Sequence, residues 1–260
     1  MASPYGYRPV VHFRVTISIC NEGMKAVPGQ IRGTRVFALS RACTITAIIL
    51  DFDGVVLESV RVKTDAFREL FSFSPEHVDE IVEYHRRNTG VSRFDKFRYI
   101  YREILKEPLS DERFDWLSDR YAELVVDGVI ASPFVPGGEK FLESYSARIP
   151  LFVVSASPQE ELGFIIRRRG LSRCFRKVYG APTRKEEAIR EVLAMTKSSP
   201  GESLFVGDAL NDLSAAKISG VRFVGRRPPE EPDRFRGMEG VETVVADLAD
   251  LSRYLEGRTC

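Results

Sequence analysis

The sequence has 260 residues with 38 basic and 37 acidic side chains, giving a formal charge of +1. This balance gives no reason to expect a nucleic-acid partner, and no apolar run approaches the roughly 18–20 residues of a membrane-spanning helix. The cysteines, Cys20, Cys43, Cys174 and Cys260, are scattered without a CxxC pair, which is typical of a reduced, cytoplasmic protein without a membrane partner.

Residues 1–43 differ in composition from the rest of the chain. They carry six arginines and lysines but the single acid Glu22. Apolar residues alternate with others between Val11 and Ile19, which indicates one short strand. A basic leader with few acids is typical of a transit peptide. The alternatives are a disordered extension and a start codon assigned too far upstream, and none of the three gives this segment a chemical role.

From Thr44 onward, short apolar runs rich in β-branched residues predict the buried strands of a parallel sheet. They are Ala47–Leu50, Leu151–Val154, Leu204–Val206 and Val221–Val224, with a further strand through Phe175–Tyr179. Amphipathic stretches at Glu186–Thr196 and Leu213–Ser219 predict helices between the later runs. Strands alternating with helices indicate an α/β fold with a Rossmann-like three-layer core, to which we assign residues 44–60 and 137–260.

The segment 61–136 has helical periodicity instead. Apolar residues recur at helical spacing, as at Phe67, Leu70 and Phe71, and no buried-strand run clearly interrupts them. Pro136 and Gly137 mark the return to the sheet. We therefore predict a helical cap domain inserted after the first strand of the core.

Polar residues follow the predicted strands, where ligands bind in open α/β sheets. They are Asp51 and Asp53 with Gly54, then Ser155, then Lys185 at a helix start, and finally Asp208, Asn211 and Asp212. Clustered carboxylates suit a hard cation such as Mg²⁺. Lysine and hydroxyl groups suit the oxygens of a phosphoryl group. Taken singly, each residue also has an ordinary role in a turn, a helix cap or a solvated loop.

This set of residues and its order resemble the haloacid dehalogenase-like superfamily of phosphotransferases. DFDGV (51–55) matches its first motif, VVS (153–155) its second, the lysine of GAPTRK (180–185) its third and GDALND (207–212) its fourth. The resemblance covers the chain from about Thr44 to about Arg226. All four motifs in order, each after a predicted strand, outweigh the separate structural explanations.

The resemblance implies a role for each motif residue. Asp51 would attack phosphorus and form an aspartyl-phosphate, and Asp53 would protonate the leaving alkoxide and then deprotonate the hydrolytic water. Mg²⁺ would be held by Asp51, the main-chain carbonyl of Asp53 and Asp208, with Asp212 either binding it through water or orienting Lys185. Ser155 and Lys185 would bind the phosphoryl oxygens, with Gly54 and Ala156 also in contact with the substrate.

The cap stretch NTGVSRFDKF (88–97) carries a further resemblance. A similar GVSR segment in the cap of β-phosphoglucomutases contains an arginine that holds the second phosphate of the substrate. Arg93 matches that position, and Lys96 follows about one helical turn later. The alternative is structural: Gly90 ends one helix, Ser92 caps the next, and Arg93 is solvated.

The reaction type depends on Asp53 and Lys63. Dehalogenases of the superfamily lack an acid at the position of Asp53, so its presence favours phosphate chemistry. The mutases carry a histidine where this chain has Lys63, while His77 and His85 fall elsewhere in a structural context. We therefore predict a Mg²⁺-dependent phosphatase of a small phosphorylated metabolite. A β-phosphoglucomutase-like mutase is the alternative, followed by a non-catalytic binding protein, and the oligomeric state is left open.

Overall fold

The computed structural model describes residues 45–257, so the predictions for residues 1–43 lie outside the described residues. Within this range, six parallel strands form one sheet in the order β3-β2-β1-β4-β5-β6. The strands are β1 (Ala47–Leu50), β2 (Leu151–Pro158), β3 (Lys177–Ala181), β4 (Ser203–Gly207), β5 (Arg222–Arg226) and β6 (Val241–Val245). β1 lies centrally, with Ile48 in register with both Leu151 and Leu204.

The side chains of β1 alternate between two separate cores. Ile48 and Leu50 belong to one buried cluster, and Ala47 and Ile49 to the other. This is the alternation expected of a strand that is buried on both faces. The result is a three-layer arrangement in which helices cover each face of the sheet.

Five helices of the core cover the sheet. They are α5 (Gly138–Ser146), α6 (Gln159–Arg168), α7 (Lys185–Thr196), α8 (Leu210–Ser219) and α9 (Leu248–Glu256). Phe141, Leu162 and Leu251 pack on one face, whereas Ile189 and Leu213 pack on the other. Each such buried side chain stabilises the fold by about 1.5–3 kcal/mol. The predicted parallel α/β core is confirmed.

The chain between β1 and β2 is helical. It forms α1 (Val60–Leu70), α2 (Val78–Arg87), α3 (Arg93–Tyr99), a π-helical turn (Ile100–Leu105) and α4 (Asp111–Ala131). Phe67 is central to this segment, because its ring contacts those of Phe71, His85, Phe97 and Tyr121. We call residues 60–131 the helical segment, and the domain bounds given above stay a prediction.

Several details differ from the sequence-based expectations. β3 is shifted two residues toward the C-terminus, because Lys177 is the first residue that pairs with β2, while Phe175 is buried in the preceding loop. β5 begins at Arg222 rather than Val221. We made no prediction for β6 or α9, since β6 is mostly half-buried and its apolar run is interrupted at Glu242 and Thr243.

Candidate active site

Three carboxylates meet at the carboxyl end of the central strands. Asp51 follows β1, Asp208 follows β4, and Asp212 lies in the first turn of α8. All three are buried, and each offers an oxygen within 4.8 Å of the others. The amide of Asp51 donates to the carbonyl of Val206 at 2.9 Å, which holds the first strand end against the fourth.

Two glycines make this close approach possible. Gly54 has a φ of +76°, and a Cβ atom there would lie 2.5 Å from Oδ2 of Asp208. At Gly207 a Cβ atom would lie 2.3 Å from that of Asp212. Both positions therefore require glycine for steric reasons. The amide of Gly54 donates to the carbonyl of Leu57 at 2.8 Å, and its own carbonyl accepts from Arg226 at 3.1 Å.

Lys185 lies between two of the carboxylates. Its Nζ donates to Oδ2 of Asp51 at 2.8 Å and to Oδ1 of Asp212 at 2.5 Å. Burial acts to lower the pKa of Lys185, but the charges of Asp212 and Asp51 outweigh it and raise that pKa above its ordinary value. Lys185 is therefore an ammonium group that orients both acids.

The carboxylate cluster has more negative charge than Lys185 neutralises. Burial raises the pKa of Asp208 well above its ordinary value, and the charges of Asp51 and Asp212 add to this effect. Burial likewise raises the pKa of Asp212 to about 6, against the opposing charge of Lys185. Three hard oxygen donors with one ammonium suit a divalent cation, which would relieve the repulsion. Asp212 also accepts from the amide of Ala209 at 3.0 Å, so it caps α8 as well.

Asp53 has a different environment from this cluster. Ser59 donates to its Oδ1 at 2.6 Å, while Ser157 donates to its Oδ2 at 3.1 Å. Lys63 forms a short ion pair with the same Oδ2 and donates to Oγ of Ser157 at 2.7 Å. Burial acts to raise the pKa of Asp53, but Lys63 and the two hydroxyls outweigh it and hold that pKa below its ordinary value.

The sequence analysis missed two members of this network, Ser59 and Ser157. Ser157 follows Ser155 by two residues on β2, and the period-two alternation of a strand could have indicated a shared face. Ser155 is buried, and its Oγ accepts from the amide of Ser157 at 3.2 Å. Lys63 had been noted only as a departure from the mutase pattern.

A cavity of about 70 Å³ lies between the carboxyl edge of the sheet and the helical segment. The core contributes Asp51, Asp53, Ser155, Ala156 and Asp208, and the helical segment contributes Lys63, Phe67, His85, Arg93, Lys96 and Tyr121. The structure therefore brings all ten predicted site residues to this cavity or to the adjoining carboxylate cluster. Eight of them come from the core and two from the helical segment. Of the ten, Gly54, Lys185 and Asp212 do not line this cavity, and Lys185 lines a neighbouring one together with Ser155 and Ala156.

Arg93 is buried, so the expectation of a solvated side chain is wrong. It forms an ion pair with Glu161 on α6 and lies 4.5 Å from the ring centre of Tyr121. The expectation that Gly90 ends a helix is also wrong, because α2 already ends at Arg87, with Asn88 as its C-cap. Ser92 does cap α3, since its side chain accepts from the amide of Phe94 at 3.3 Å. Arg93 thus links the helical segment to the core.

Lys96 and His85 form a buried pair on the wall of the cavity. Lys96 Nζ lies 3.2 Å from Nδ1 of His85 and 5.6 Å from the ring centre of Phe67. Burial, with the nearby charge of Lys63, lowers the pKa of Lys96 to about 7. Burial and Lys96 lower the pKa of His85 to about 2, so this imidazole is neutral and its Nδ1 accepts from Lys96.

The chain belongs to the haloacid dehalogenase-like hydrolase family, whose family model matches residues 48–226. The resemblance of the four motifs is thereby confirmed. Among the described residues, the structure contains no helix both long and apolar enough to cross a bilayer.

Individual relatives agree with this membership. Phosphoglycolate phosphatase 1 from Pseudomonas aeruginosa is 22% identical over 213 residues, which are 78% of this chain and 77% of the relative. A hydrolase structure from Pseudomonas syringae shares 19% identity with a TM-score of 0.68, covering 82% of this chain and 98% of its own. A Bacteroides vulgatus structure named for β-phosphoglucomutase shares 15% identity with a TM-score of 0.69, covering 84% and 90%.

Proposed function

We propose that this hydrolase is a phosphatase that cleaves a small phosphorylated metabolite with the help of Mg²⁺. The observation that carries the proposal is the contrast between two acids on one cavity. Asp51 is held by Lys185 beside two further carboxylates, whereas Asp53 is held by Lys63 and two hydroxyls. Two acids in such different environments suit a nucleophile and a proton carrier. The phosphatase name of the Pseudomonas aeruginosa relative supports the same reaction.

In this proposal Asp51 attacks phosphorus, and the bond between phosphorus and the leaving alkoxide oxygen breaks. Asp53 gives its proton to that alkoxide, and the phosphoryl group remains on Asp51. A water molecule then attacks phosphorus and Asp53 takes its proton, while the bond between phosphorus and the Asp51 oxygen breaks, which frees the Asp51 carboxylate and releases inorganic phosphate. The ionised form of Asp53 that Lys63 favours is the form needed in this second step.

Several residues bind and position the reacting groups. Ser155 and Ala156 line the same cavity as Asp51 and would contact the phosphoryl oxygens, as would Lys185, which lines a neighbouring cavity with them. The residues that would hold Mg²⁺ are Asp51, Asp208 and Asp212 with the main-chain carbonyl of Asp53. The cation would supply positive charge that lets a carboxylate and a phosphate approach each other.

The helical segment would act as the cap that closes over the cavity and excludes water. Asn211 at the start of α8 donates to the carbonyl of Gly90 at 2.7 Å, and Arg93 pairs with Glu161, so these polar contacts help to hold the segment against the core. The scattered cysteines of the whole sequence support the further proposal that the protein is cytoplasmic.

The mutase alternative is less well supported. This chain has Lys63 at the position of the mutase histidine, and Lys63 is engaged with Asp53 and Ser157. The likeness to the Bacteroides vulgatus structure concerns the fold, since only 15% of residues are identical.

The test is hydrolysis of p-nitrophenyl phosphate with and without Mg²⁺, by the unaltered protein and by Asp51→Asn. We expect Mg²⁺-dependent release of phosphate that the substitution reduces by at least about 10³-fold. Asp65→Asn, an exposed acid on α1, is the matched control and should behave as the unaltered protein. Activity that is independent of Mg²⁺, or that survives Asp51→Asn, would exclude the proposed mechanism.

A further inference from the structure

Three cationic side chains from the helical segment line the cavity, and two of them already have an acidic partner. Lys63 is paired with Asp53, and Arg93 is paired with Glu161. In both pairs the acid comes from the core and lies against the cation, so neither charge is left uncompensated. The resemblance to mutases assigned the second phosphate of a substrate to Arg93, yet here Glu161 occupies its guanidinium.

Lys96 is the exception. Its side chain is 3% exposed, and no carboxylate of residues 45–257 lies within the 4.0 Å of an ion pair with its Nζ. Its polar contacts are both with His85, at 3.2 Å to Nδ1 and 3.5 Å to the main-chain carbonyl. A buried ammonium group without a counter-ion is costly, and an anionic ligand would supply the missing charge.

Lys96 lines the cavity, and its contact with His85 fixes the position of its ammonium group. His85 is fixed by its ring contact with Phe67, at 4.1 Å between centroids, and accepts one N–H of Lys96. The ammonium group has three N–H donors, so at least one remains for a ligand. Lys96 lines the same cavity as Asp53 and Asp208, so a ligand that it binds lies within the proposed active site.

We infer that Lys96 binds a second anionic group of the substrate, so that the enzyme selects short phosphomonoesters that carry a carboxylate or a second phosphate. The inference rests on the proposed phosphatase function. The short spacing follows from the cavity, which is small, at about 70 Å³, and is lined by Lys96 together with Asp51 and Asp53. The two anions of the substrate must therefore be separated by a short linker.

The experiment compares three probes with the same two-carbon backbone. Ethyl phosphate has no second charge, phosphoglycolate has a carboxylate, and ethylene glycol bisphosphate has a second phosphate. We expect the unaltered enzyme to show a higher kcat/KM for at least one anionic probe than for ethyl phosphate. In Lys96→Met this preference should fall by about 10- to 100-fold, the value of one charge-assisted hydrogen bond. The anionic probe whose kcat/KM relative to ethyl phosphate falls in Lys96→Met identifies the anion that Lys96 binds.

Two further measurements sharpen the result. Lys140→Met removes an exposed lysine from α5 and should keep the preference. Methionine fits the buried position of Lys96 without a charge, so Lys96→Met should be at least as stable as the unaltered protein in urea unfolding.

The inference would be overturned by equal kcat/KM values for all three probes, or by a preference that Lys96→Met leaves intact. If no probe is hydrolysed, the proposed function fails, but the role of Lys96 is still decided by calorimetric binding to Asp51→Asn. The inference is supported if Asp51→Asn binds an anionic probe more tightly than ethyl phosphate and Lys96→Met/Asp51→Asn does not. It is refuted if the two proteins bind the anionic probes equally well.

Discussion

The two walls of the cavity carry opposite kinds of buried charge. On the sheet side, Asp51, Asp208 and Asp212 surround a single ammonium group, that of Lys185. On the helical side, the charged groups at the cavity are Lys63, Arg93 and Lys96, of which the last has no acidic partner among the described residues. The sheet side therefore has too little positive charge for its acids, and the helical side has too little negative charge for its cations.

The difference indicates what each wall binds. A surplus of carboxylates at fixed strand ends suits a cation, and a surplus ammonium group on the helical segment suits an anion. A phosphate ester with a bound Mg²⁺ carries both signs of charge and would bridge the two walls. In the proposed function, the sheet side thus carries the chemistry and the helical side the choice of substrate.

The largest expected effect comes from removing a charge on the sheet side with Asp208→Asn. Mg²⁺-dependent activity should fall by about 10²-fold or more, because one cation ligand is lost. The metal-free protein should gain about 1 kcal/mol in its free energy of unfolding, since the buried charge and its repulsion with Asp51 and Asp212 are removed. Assays of phosphate release and urea unfolding without divalent cations measure the two changes.

Asp115→Asn is the control for that substitution, because it neutralises an exposed acid on α4. It should change neither quantity. Unchanged activity of Asp208→Asn, or a loss of stability in the metal-free protein, would contradict the assignment of surplus negative charge to this wall.

The next effect comes from breaking the ion pair that joins the two walls with Lys63→Met. Asp53 would keep only Ser59 and Ser157 as donors, and the free energy of unfolding should fall by about 2 kcal/mol at neutral pH. Activity should fall by about tenfold or more, because the proton carrier loses its position. Urea unfolding and phosphate release measure both.

The pH dependence has a definite sign. Because the pKa of Asp53 is lowered in the folded state, its pairing with Lys63 stabilises fully above the ordinary value of 3.8 and is lost as the pH falls below it. The stability difference between the unaltered protein and Lys63→Met should therefore shrink in acid. The double variant Asp53→Asn/Lys63→Met should recover part of the loss, and a purely additive result would show that the two residues do not interact.

A third effect concerns the surplus charge of the helical side. The ratio of kcat/KM for phosphoglycolate to that for ethyl phosphate should fall above a pH of about 7, where Lys96 loses its proton. The fall should approach about tenfold per pH unit, because only the ammonium form binds the second anion. His85 stays neutral throughout this range, while Lys63, Asp53 and Asp208 act on both substrates alike.

In Lys96→Met the same ratio should be flat with pH. The ratio cancels the titration of the phosphate and of the catalytic groups, which the two substrates share. A ratio that is flat in the unaltered enzyme, or that falls equally in the variant, would assign the substrate preference to another residue.

The smallest effect comes from releasing the paired cation with Glu161→Gln. Arg93 would lose its carboxylate partner and become available to an anion, so the preference for ethylene glycol bisphosphate over ethyl phosphate should rise by about threefold. Glu160→Gln, an exposed neighbour on α6, is the matched control. A preference that does not rise would show that Arg93 serves only to hold the helical segment against the core.

Much of the fold was predictable from the sequence because the central strands are apolar and continuous. Alternate side chains of Ala47–Leu50 enter the two cores on opposite faces of the sheet. Every residue of this strand is therefore apolar, and the run in the sequence is unbroken. β6 was not predictable in the same way, because an edge strand that is half-buried tolerates Glu242 and Thr243. The more completely a strand is buried, the more clearly its apolar pattern appears in the sequence.

The local sequence also determined the residues at the strand ends. Asp51, Asp208 and Lys185 could be predicted because each follows a recognisable strand or starts a helix, and parallel strands bring their carboxyl ends to one edge. The partners of the charges were decided only by the tertiary structure. Ion pairs between Lys63 and Asp53, and between Arg93 and Glu161, join residues 10 and 68 positions apart. No local pattern specifies such a pairing, and it is this pairing that leaves Lys96 as the unpaired cation of the cavity.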